Sequence, residues 1–339
     1  VPEYFSDCNL VYIGSTIKTP HIDGGGFSIT TDEILSAMKS PLQDIFPQGE
    51  PACREEAELS LFTARDKKKT VPIIGKPRVV IPAFPGTNCE YDCQAAFHQA
   101  GAVADILVFC NQNPKDINTS LFALAAAIDN AQILMLPGGF SAGDEPDGSG
   151  KFIAAVLRNP LVYEAIERLM ERQGLILGIC NGFQALIKTG LIPYGKLLTP
   201  QENSPTLTFN HIGRHISRIV HTRVVSTLSP WLWNRKPGDT FQIAISHGEG
   251  MFLASGESIR TLSASGQIAT QYVSADGLPG NRYQDNPKGS LWAIEGLTSP
   301  NGLVFGKMGH NERYSRFTLQ NIPGEKDDRL FSSGVAFFR

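Results

Sequence analysis

The pattern of apolar positions changes character near Arg78. Beyond that point, short apolar runs typical of buried strands alternate with stretches in which apolar residues recur at helical spacing. The strand-like runs are RVVIPAF, AVADILVF, AQILMLPGG and GLILGIC, and the helix-like stretches include YDCQAAFHQAG, TSLFALAAAIDN and NGFQALIKTG. This alternation predicts a doubly wound, mostly parallel open α/β sheet flanked by helices on both faces.

After residue 204 the pattern becomes β-rich, with the runs RIVHTRVV, FQIAIS, QIATQYV, SLWAIEGLTS and GLVFGKMGH. Alternating apolar and polar positions in such runs are typical of strands with one exposed face. We predict that these runs extend the same sheet in antiparallel fashion. The last run is expected to be a strand near the active edge.

The first 75 residues predict a short α+β segment that precedes the main domain. NLVYIGS has the pattern of a strand, and HIDGGGFS that of a glycine-rich turn. Two helices are predicted, TDEILSAMKSPL with a cap at Thr31 or Asp32, and REEAELSLFTARDKKK. The change of pattern predicts a boundary between residues 1–75 and residues 76–339.

Composition and charge exclude several classes of protein. The chain has 339 residues and a net charge of −3, so nothing indicates a nucleic-acid partner. Neither an apolar run long enough for a membrane span nor a signal peptide is evident. The six cysteines form no C-x-x-C pair, which favours a reducing compartment over a secreted disulfide scaffold. We therefore expect a cytoplasmic protein.

The motif GICNG places Cys180 between two glycines, where a strand gives way to a helix. A nucleophile on such a turn is lifted out of the backbone, and flanking glycines relieve the crowding. The N-terminus of a helix also favours a thiolate. The alternative is a buried structural cysteine, because free cysteine is among the most buried residue types. The pentapeptide alone does not decide between them.

A nucleophilic thiol needs a base and a group that orients the base. The stretch GKMGHNERY offers His310 and Glu312, whose side chains would point to the same side of an extended chain. An ordinary surface pair at a strand end is the alternative. Acyl transfer also needs hydrogen-bond donors for the oxyanion. The amides near Gly139 and the amide of Asn181 are candidates, although PGG is equally typical of a simple turn.

Two other patterns do not support a site. GDEPDGSGKF resembles a phosphate loop, but Glu145 stands where the first glycine belongs and Phe152 follows the lysine. The stretch NHIGRHISRIVH supplies three histidines without the carboxylate of a helical zinc motif, so we predict no metal there. His247 in ISHGEGMF stays open, as a structural residue or as part of a turn that presents backbone groups to a substrate.

Several stretches together match one known family: VVIPAFPGTNCEYD, PGGFSAGDEPDGSGKFIA, GICNGFQALIK, SPTLTFNHIGRH, SHGEGMF, QIATQYV and VFGKMGHNERY. They resemble the glutaminase domains of phosphoribosylformylglycinamidine synthases, which are flavodoxin-like class I glutamine amidotransferases. The resemblance implies that Cys180 is the nucleophile, His310 the general base and acid, and Glu312 its orienting partner. It also implies an oxyanion site at the amides of Gly139 and Asn181.

Further roles follow from the same resemblance. Gln184 would contact the α-groups of the bound glutamine, and His247 and Gly248 would line the glutamine pocket. Glutamine would yield glutamate and ammonia through a thioester, and the ammonia would pass to a synthetase region. That region would use ATP and Mg to convert formylglycinamide ribonucleotide (FGAR) to its amidine (FGAM) in purine biosynthesis. The resemblance implies no cofactor or metal in this chain.

Residues 1–75 resemble, more loosely, the tail of the synthetase region and the connecting segment of the fused form of this enzyme. We expect a C-terminal piece of a fused enzyme, with a free glutaminase subunit carrying an N-terminal extension as the alternative. Two other functions stay open. One is a different cysteine-dependent α/β enzyme, such as a γ-glutamyl hydrolase or a DJ-1-like protein. The other is a non-catalytic amidotransferase-like module that binds or regulates a synthetase.

Overall fold

The computed structural model describes residues 8–43, 59–63, 71, 73–143, 150–280, 282–315 and 317–339. The chain divides into two compact units, Val1–Gly49 and Glu50–Arg339. None of the described helices is both long enough and apolar enough to cross a bilayer.

The first unit contains a β-hairpin and one helix. Strands β1 (His21–Gly24) and β2 (Phe27–Thr30) pair in antiparallel fashion and lead directly into helix α1 (Thr31–Lys39). The helix is capped by Thr30, whereas the sequence predicted a cap at Thr31 or Asp32. The Thr30 hydroxyl accepts a hydrogen bond from the Glu33 backbone amide, and the Glu33 carboxylate accepts one from the Thr30 backbone amide, which makes a reciprocal capping box.

The strand predicted over NLVYIGS is wrong. These residues are exposed and do not pair with any strand among the described residues. Without a neighbouring strand, their backbone amides and carbonyls cannot form the hydrogen bonds of a sheet. The strands form instead on either side of the glycine-rich turn that follows. A tight turn between two short runs lets them pair locally, which the apolar pattern alone did not indicate.

In the second unit, the described strands form a nine-stranded mixed sheet in the order β4-β3-β5-β6-β13-β12-β11-β8-β9. Five strands are parallel: β3 (Arg78–Ala83), β4 (Val103–Val108), β5 (Ile133–Leu136), β6 (Leu175–Ile179) and β13 (Val304–Lys307). An antiparallel extension completes the sheet: β12 (Ile294–Thr298), β11 (Ile268–Val273), β8 (Ile216–Val224) and β9 (Thr240–His247). The predicted doubly wound α/β sheet is confirmed.

Helices and a small second sheet complete this unit. The helices are α2 (Glu90–Ala100), α3 (Pro114–Asn130), α4 (Lys151–Leu157), α5 (Pro160–Glu171), α6 (Asn181–Thr189), α7 (Leu191–Tyr194), α8 (Gly256–Ala264) and α9 (Leu330–Ala336). Strands β7 (Thr206–Phe209) and β10 (Glu249–Leu253) pair with each other. Strands β5 and β6 are buried along their whole length, as expected for central strands of a covered parallel sheet.

The helix predicted over REEAELSLFTARDKKK is wrong where the structure describes it. Residues 59–63 are not helical, and the remainder of that prediction lies outside the described residues. Leu59 is buried in the core, and Phe62 exchanges backbone hydrogen bonds with Val225 and Thr227, just after β8. The long-range contacts override the local helix propensity here.

Candidate active site

Cys180 is the single residue between the end of β6 and the start of α6. Its backbone adopts φ 54° and ψ −106°, a conformation that a non-glycine residue occupies only at a strained turn. The residue is buried, in the wall of the core rather than on the open surface. The turn therefore has the geometry of a nucleophile elbow.

The two glycines of GICNG are required by close packing on both sides of this turn. A Cβ on Gly182 would lie 2.0 Å from the carbonyl oxygen of Leu136 in β5, and a Cβ on Gly178 would lie 2.5 Å from Cδ1 of Leu186. No side chain fits at these distances. The prediction that the glycines relieve crowding around the turn is confirmed.

His310 and Glu312 follow β13, which pairs in parallel with β6, so both segments leave the sheet at the same carboxyl edge. The two side chains are buried, and His310 Nδ1 lies 2.6 Å from Glu312 Oε1. They are in contact, but the reason expected from the sequence was wrong. Residues Asn311–Arg313 form a single 3₁₀ turn, and this turn brings the carboxylate back to the ring.

Opposing electrostatic effects act on His310. Burial disfavours its charged form, but the Glu312 carboxylate, followed by the thiols of Cys180 and Cys89, raises the pKa of His310 well above its usual value. Burial likewise acts against the charged form of Glu312, and His310 lowers the pKa of this carboxyl. The pair is therefore a buried imidazolium and carboxylate near neutral pH.

His247, at the end of β9, contacts the thiol directly. Its Nδ1 lies 2.9 Å from the Sγ atom of Cys180, and its ring stacks on that of His310 with centroids 5.3 Å apart and planes at 14°. The sequence predicted that His247 lines a glutamine pocket, and the structure adds this unpredicted contact. The sequence also left open a polar turn over HGEG after β9. In the structure Gly248 alone separates β9 from β10, and Glu249 already belongs to β10.

His247 is electrically neutral in this environment. Burial, with smaller effects from Lys288 and His310, lowers the pKa of His247 well below its usual value. Two imidazolium rings with centroids 5.3 Å apart would repel each other by about 3 kcal/mol at an effective dielectric constant of about 20. One charged ring and one neutral ring therefore face the sulfur.

The loop PGG borders the same atoms. A Cβ on Gly138 would lie 2.9 Å from Cε1 of His310 and 3.4 Å from Cβ of Cys180. Gly139 adopts φ 136°, and a Cβ there would lie 2.8 Å from the Asn88 amide nitrogen. The loop thus lies against the thiol, as expected for an oxyanion site. The donor roles of the Gly139 and Asn181 amides stay predictions.

Two further pocket candidates have different surroundings. The Gln184 side chain is buried, donates to the Glu249 carbonyl oxygen at 2.8 Å and accepts from Nδ2 of the Asn181 side chain at 3.1 Å. One end of this side-chain amide thus connects α6 with β10 and the other bonds within α6, and a contact with glutamine stays a prediction. Around Gly248, by contrast, a Cβ would meet no atom within 4 Å, so the backbone there borders open space.

Two residues of this region, Cys89 and Lys288, were missed by sequence reasoning. Cys89 Sγ lies 3.9 Å from His310 Nδ1 and accepts a hydrogen bond from Arg313 at 3.4 Å. Lys288 is fully buried, and its ammonium group lies 5.5 Å from the Tyr272 ring without a hydrogen-bond partner among the described residues. Burial lowers the pKa of Lys288 to about 7. No sequence motif marks this lysine.

Metal-ligating side chains also meet here. Sγ of Cys180 and one ring nitrogen each of His247 and His310 lie within 4.8 Å of one another. Two ligands of one tetrahedral zinc ion are separated by about 3.5 Å, whereas the sulfur and His247 Nδ1 are in direct contact at 2.9 Å. We therefore interpret the cluster as nucleophile and acid–base groups.

Two sequence patterns, a run of histidines and a stretch resembling a phosphate loop, were rejected as sites. Of the three histidines in NHIGRHISRIVH, His215 forms a hydrogen bond with Ser246 and His221 forms one with Gln242. Residues 144–149 of the rejected phosphate loop lie outside the described residues.

A cysteine on a strained strand-to-helix turn, beside a histidine–carboxylate pair at the carboxyl edge of a doubly wound sheet, defines the class of thiol-dependent acyl-transfer enzymes. The family model of the CobB/CobQ-like glutamine amidotransferase domain matches residues 76–339. The chain belongs to this glutamine amidotransferase family, together with the PurQ subunits of phosphoribosylformylglycinamidine synthase that it resembles.

The relatives match over nearly their whole length. PurQ of Dehalococcoides mccartyi is 35% identical over 273 residues, covering 78% of this chain and 99% of that protein. PurQ of Gloeobacter violaceus is 31% identical, covering 76% of this chain and 97% of that protein. The solved structure of PurLQS from Thermotoga maritima aligns with a TM-score of 0.55 and 26% identity, over 78% of this chain and 100% of that one.

Proposed function

We propose that this chain is the glutaminase component of a phosphoribosylformylglycinamidine synthase. It hydrolyses glutamine and delivers the ammonia to an ATP-dependent synthetase that converts FGAR to FGAM in purine biosynthesis. The observation that carries the proposal is the Cys180 elbow beside the His310–Glu312 pair, in a chain whose relatives are named PurQ. Either feature alone would leave the reaction undefined.

The site supports a two-step acyl transfer. The Cys180 thiolate attacks the side-chain carbonyl carbon of glutamine, and the amides of Gly139 and Asn181 donate to the oxyanion. His310, protonated and held by Glu312, gives its proton to the departing nitrogen, so that ammonia leaves and a γ-glutamyl thioester remains. Water then attacks the thioester while His310 accepts a proton. Glutamate leaves and the thiolate is restored.

The names of the relatives support a synthetase as the partner. One aligned structure is named as a PurLQS assembly, which supports a complex between this chain and a synthetase, on the same polypeptide or as a separate subunit. ATP and Mg would bind to that synthetase, and this chain would need no cofactor of its own. We also propose a cytoplasmic location, supported by the free thiols of the five described cysteines.

We further propose that residues 1–75 are the tail of the synthetase region and the linker, and that residues 76–339 are the glutaminase domain. The family match beginning at residue 76 supports this boundary. Leu59 and Phe62 lie within the second unit, where Leu59 is buried in the core and Phe62 forms backbone hydrogen bonds with Val225 and Thr227.

The first test is covalent labelling with a diazo-ketone analogue of glutamine, followed by intact mass and peptide mapping, with and without the synthetase. We expect one adduct on Cys180, blocked by excess glutamine and lost in Cys180→Ala. Cys110→Ala, which removes an exposed thiol, is the matched control and should label normally. Adducts spread over several cysteines in both conditions would refute the proposal.

The second test separates this enzyme from the alternatives. In the reconstituted complex, Cys180→Ala should abolish glutamine-dependent FGAM formation while ammonium-dependent formation persists. Unchanged glutamine-dependent synthesis would indicate a non-catalytic module. Hydrolysis of γ-glutamyl peptides without a synthetase would indicate a γ-glutamyl hydrolase.

A further inference from the structure

The candidate nucleophile is hydrogen-bonded to a histidine that the proposed two-step reaction does not use. The Sγ of Cys180 lies 2.9 Å from Nδ1 of His247, and a ring nitrogen of His310 lies within 4.8 Å of the same sulfur. The rings of His247 and His310 come from different segments of the chain and stack on each other. The arrangement therefore has a second imidazole in direct contact with the reacting atom.

The position of His247 is fixed by its backbone as well as by its ring. The buried Asn210 side chain donates to the His247 carbonyl oxygen at 2.6 Å, and the Asn210 backbone N–H donates to the Gly248 carbonyl oxygen at 3.0 Å. His247 is also paired with Ile216 in the β8–β9 ladder. The ring is thus presented to the thiol from a rigid strand end, which is the kind of element that holds a reacting group within a fraction of an ångström.

Charge decides which nitrogen of His247 carries the proton. His310 is held as an imidazolium by Glu312, and the proposed reaction requires Cys180 to act as a thiolate. A thiolate can only accept, so the neutral His247 donates from Nδ1 and leaves Nε2 unprotonated. Consistently, Nε2 of His247 is buried and has no hydrogen-bond partner among the described residues.

Resting on the proposed glutaminase function, we propose that His247 is a positioning residue whose neutral imidazole donates Nδ1–H to the Cys180 thiolate and holds the sulfur in the attacking position. His310 then supplies the proton to the departing nitrogen, so the two rings divide the work between holding the nucleophile and moving the proton. This differs from a role in lining the glutamine pocket, because the contact is with the sulfur and not with the substrate.

Asn and Gln test the proposal because their amides replace different ring nitrogens. The amide nitrogen of His247→Asn can take the place of Nδ1, that of His247→Gln reaches towards the place of Nε2, and His247→Leu offers no donor. The rate of Cys180 carbamoylmethylation by iodoacetamide is measured from pH 5 to about pH 10 by peptide mapping. Charged and titratable groups that act on His247 are the same in all variants: Lys288, His310, His215, Arg313 and Cys180.

We expect His247→Leu and His247→Gln to slow alkylation at pH 7 by about tenfold and to move the pH midpoint up by about one unit, as for the loss of a hydrogen bond to a charged group. His247→Asn should stay close to the wild type. Glutaminase assays with the synthetase should show the loss in kcat, with the KM for glutamine little changed. His221→Leu, which removes a histidine bonded to Gln242 in the β8–β9 ladder, is the matched control.

Equal midpoints in the wild type and His247→Leu would overturn the proposal, as would equal shifts in the Asn and Gln variants. If His247→Leu does not fold, the Asn–Gln comparison still decides. A rise in KM without a change in alkylation would assign His247 to the glutamine pocket instead. Alkylation needs no turnover, so an inactive wild type would count against the glutaminase function and leave this test intact.

Discussion

Gly138 is the position at which one added methyl group tests the arrangement of the whole site. It lies in the loop after β5, and a Cβ there would be 2.9 Å from His310 Cε1, 3.2 Å from Cys89 Sγ and 3.4 Å from Cys180 Cβ. Carbon atoms pack best at about 3.5–4.0 Å. In Gly138→Ala, the imidazole of His310 therefore has to retreat by roughly 0.5–1 Å.

The expected cost falls mainly on catalysis. Overpacking by one methyl group destabilises a fold by about 1–3 kcal/mol, which corresponds to a fall in Tm of roughly 1–4 °C for a chain of 339 residues. A misplacement of about 1 Å at a reacting group costs about a hundredfold in rate. We therefore expect kcat for glutamine hydrolysis to fall by about 30- to 100-fold in a protein that is still folded at 25 °C.

The assay is glutamate release in the presence of the synthetase, with the Tm followed in parallel. The matched control is Gly256→Ala at the start of α8, where the nearest atom to an added Cβ is Arg260 Nη1 at 3.5 Å, an ordinary contact. This control should keep both activity and stability. A kcat for Gly138→Ala within about twofold of the wild type would refute the placement of His310 against the loop.

Three further predictions concern the surrounding charges and thiols. Glu312→Gln should lower kcat by about 10²- to 10⁴-fold, and because Glu312 raises the pKa of His310, the alkaline fall in activity should begin at a lower pH; an unshifted pH profile would contradict this. Lys288 loses its proton near pH 7 in the folded protein and near pH 10.5 in the unfolded chain. Between pH 7 and pH 9 the unfolding free energy of the wild type, measured by denaturant titration, should therefore rise relative to that of Lys288→Met. If the two unfolding free energies change in parallel with pH, the burial of this ammonium group is contradicted. Cys89→Ala should lower kcat less than about tenfold and leave the glutamine-analogue adduct on Cys180, and a loss as large as that in Cys180→Ala would assign Cys89 a direct role.

Much of the sheet could be predicted because its strands are locally encoded. Each central parallel strand is a short apolar run followed by a helical pattern, and the predicted elements match the observed ones within a few residues. The errors fall where long-range or reciprocal contacts decide. Phe62 forms a bridge with Ser226, just after β8, instead of continuing a helix, and Thr30 caps α1 because Glu33 completes the capping box.

The site shows the same division. Cys180 could be located from its sequence neighbours, because the two glycines needed by the elbow are two residues away on either side. His310 and Glu312 could be paired because they share one short segment. The approach of Cys89 and the burial of Lys288 depend on segments far apart in the chain, and no spacing in the sequence carries that information.

His247 shows how the shape of the sheet creates the site. Its strand β9 is the edge strand, five places from β6 in the sheet order, so a flat sheet would hold it about 24 Å from the strand that carries Cys180. The observed distance from Nδ1 to Sγ is 2.9 Å, so the sheet must coil until β9 approaches the loop after β13. The His310 amide donates to the Ala244 carbonyl oxygen of β9 at 2.9 Å, and Gly309 permits this approach, because a Cβ there would lie 2.8 Å from Cγ2 of Ile243. The second glycine of GKMGH thus closes the antiparallel extension onto the parallel half, and this closure brings both imidazoles to the sulfur.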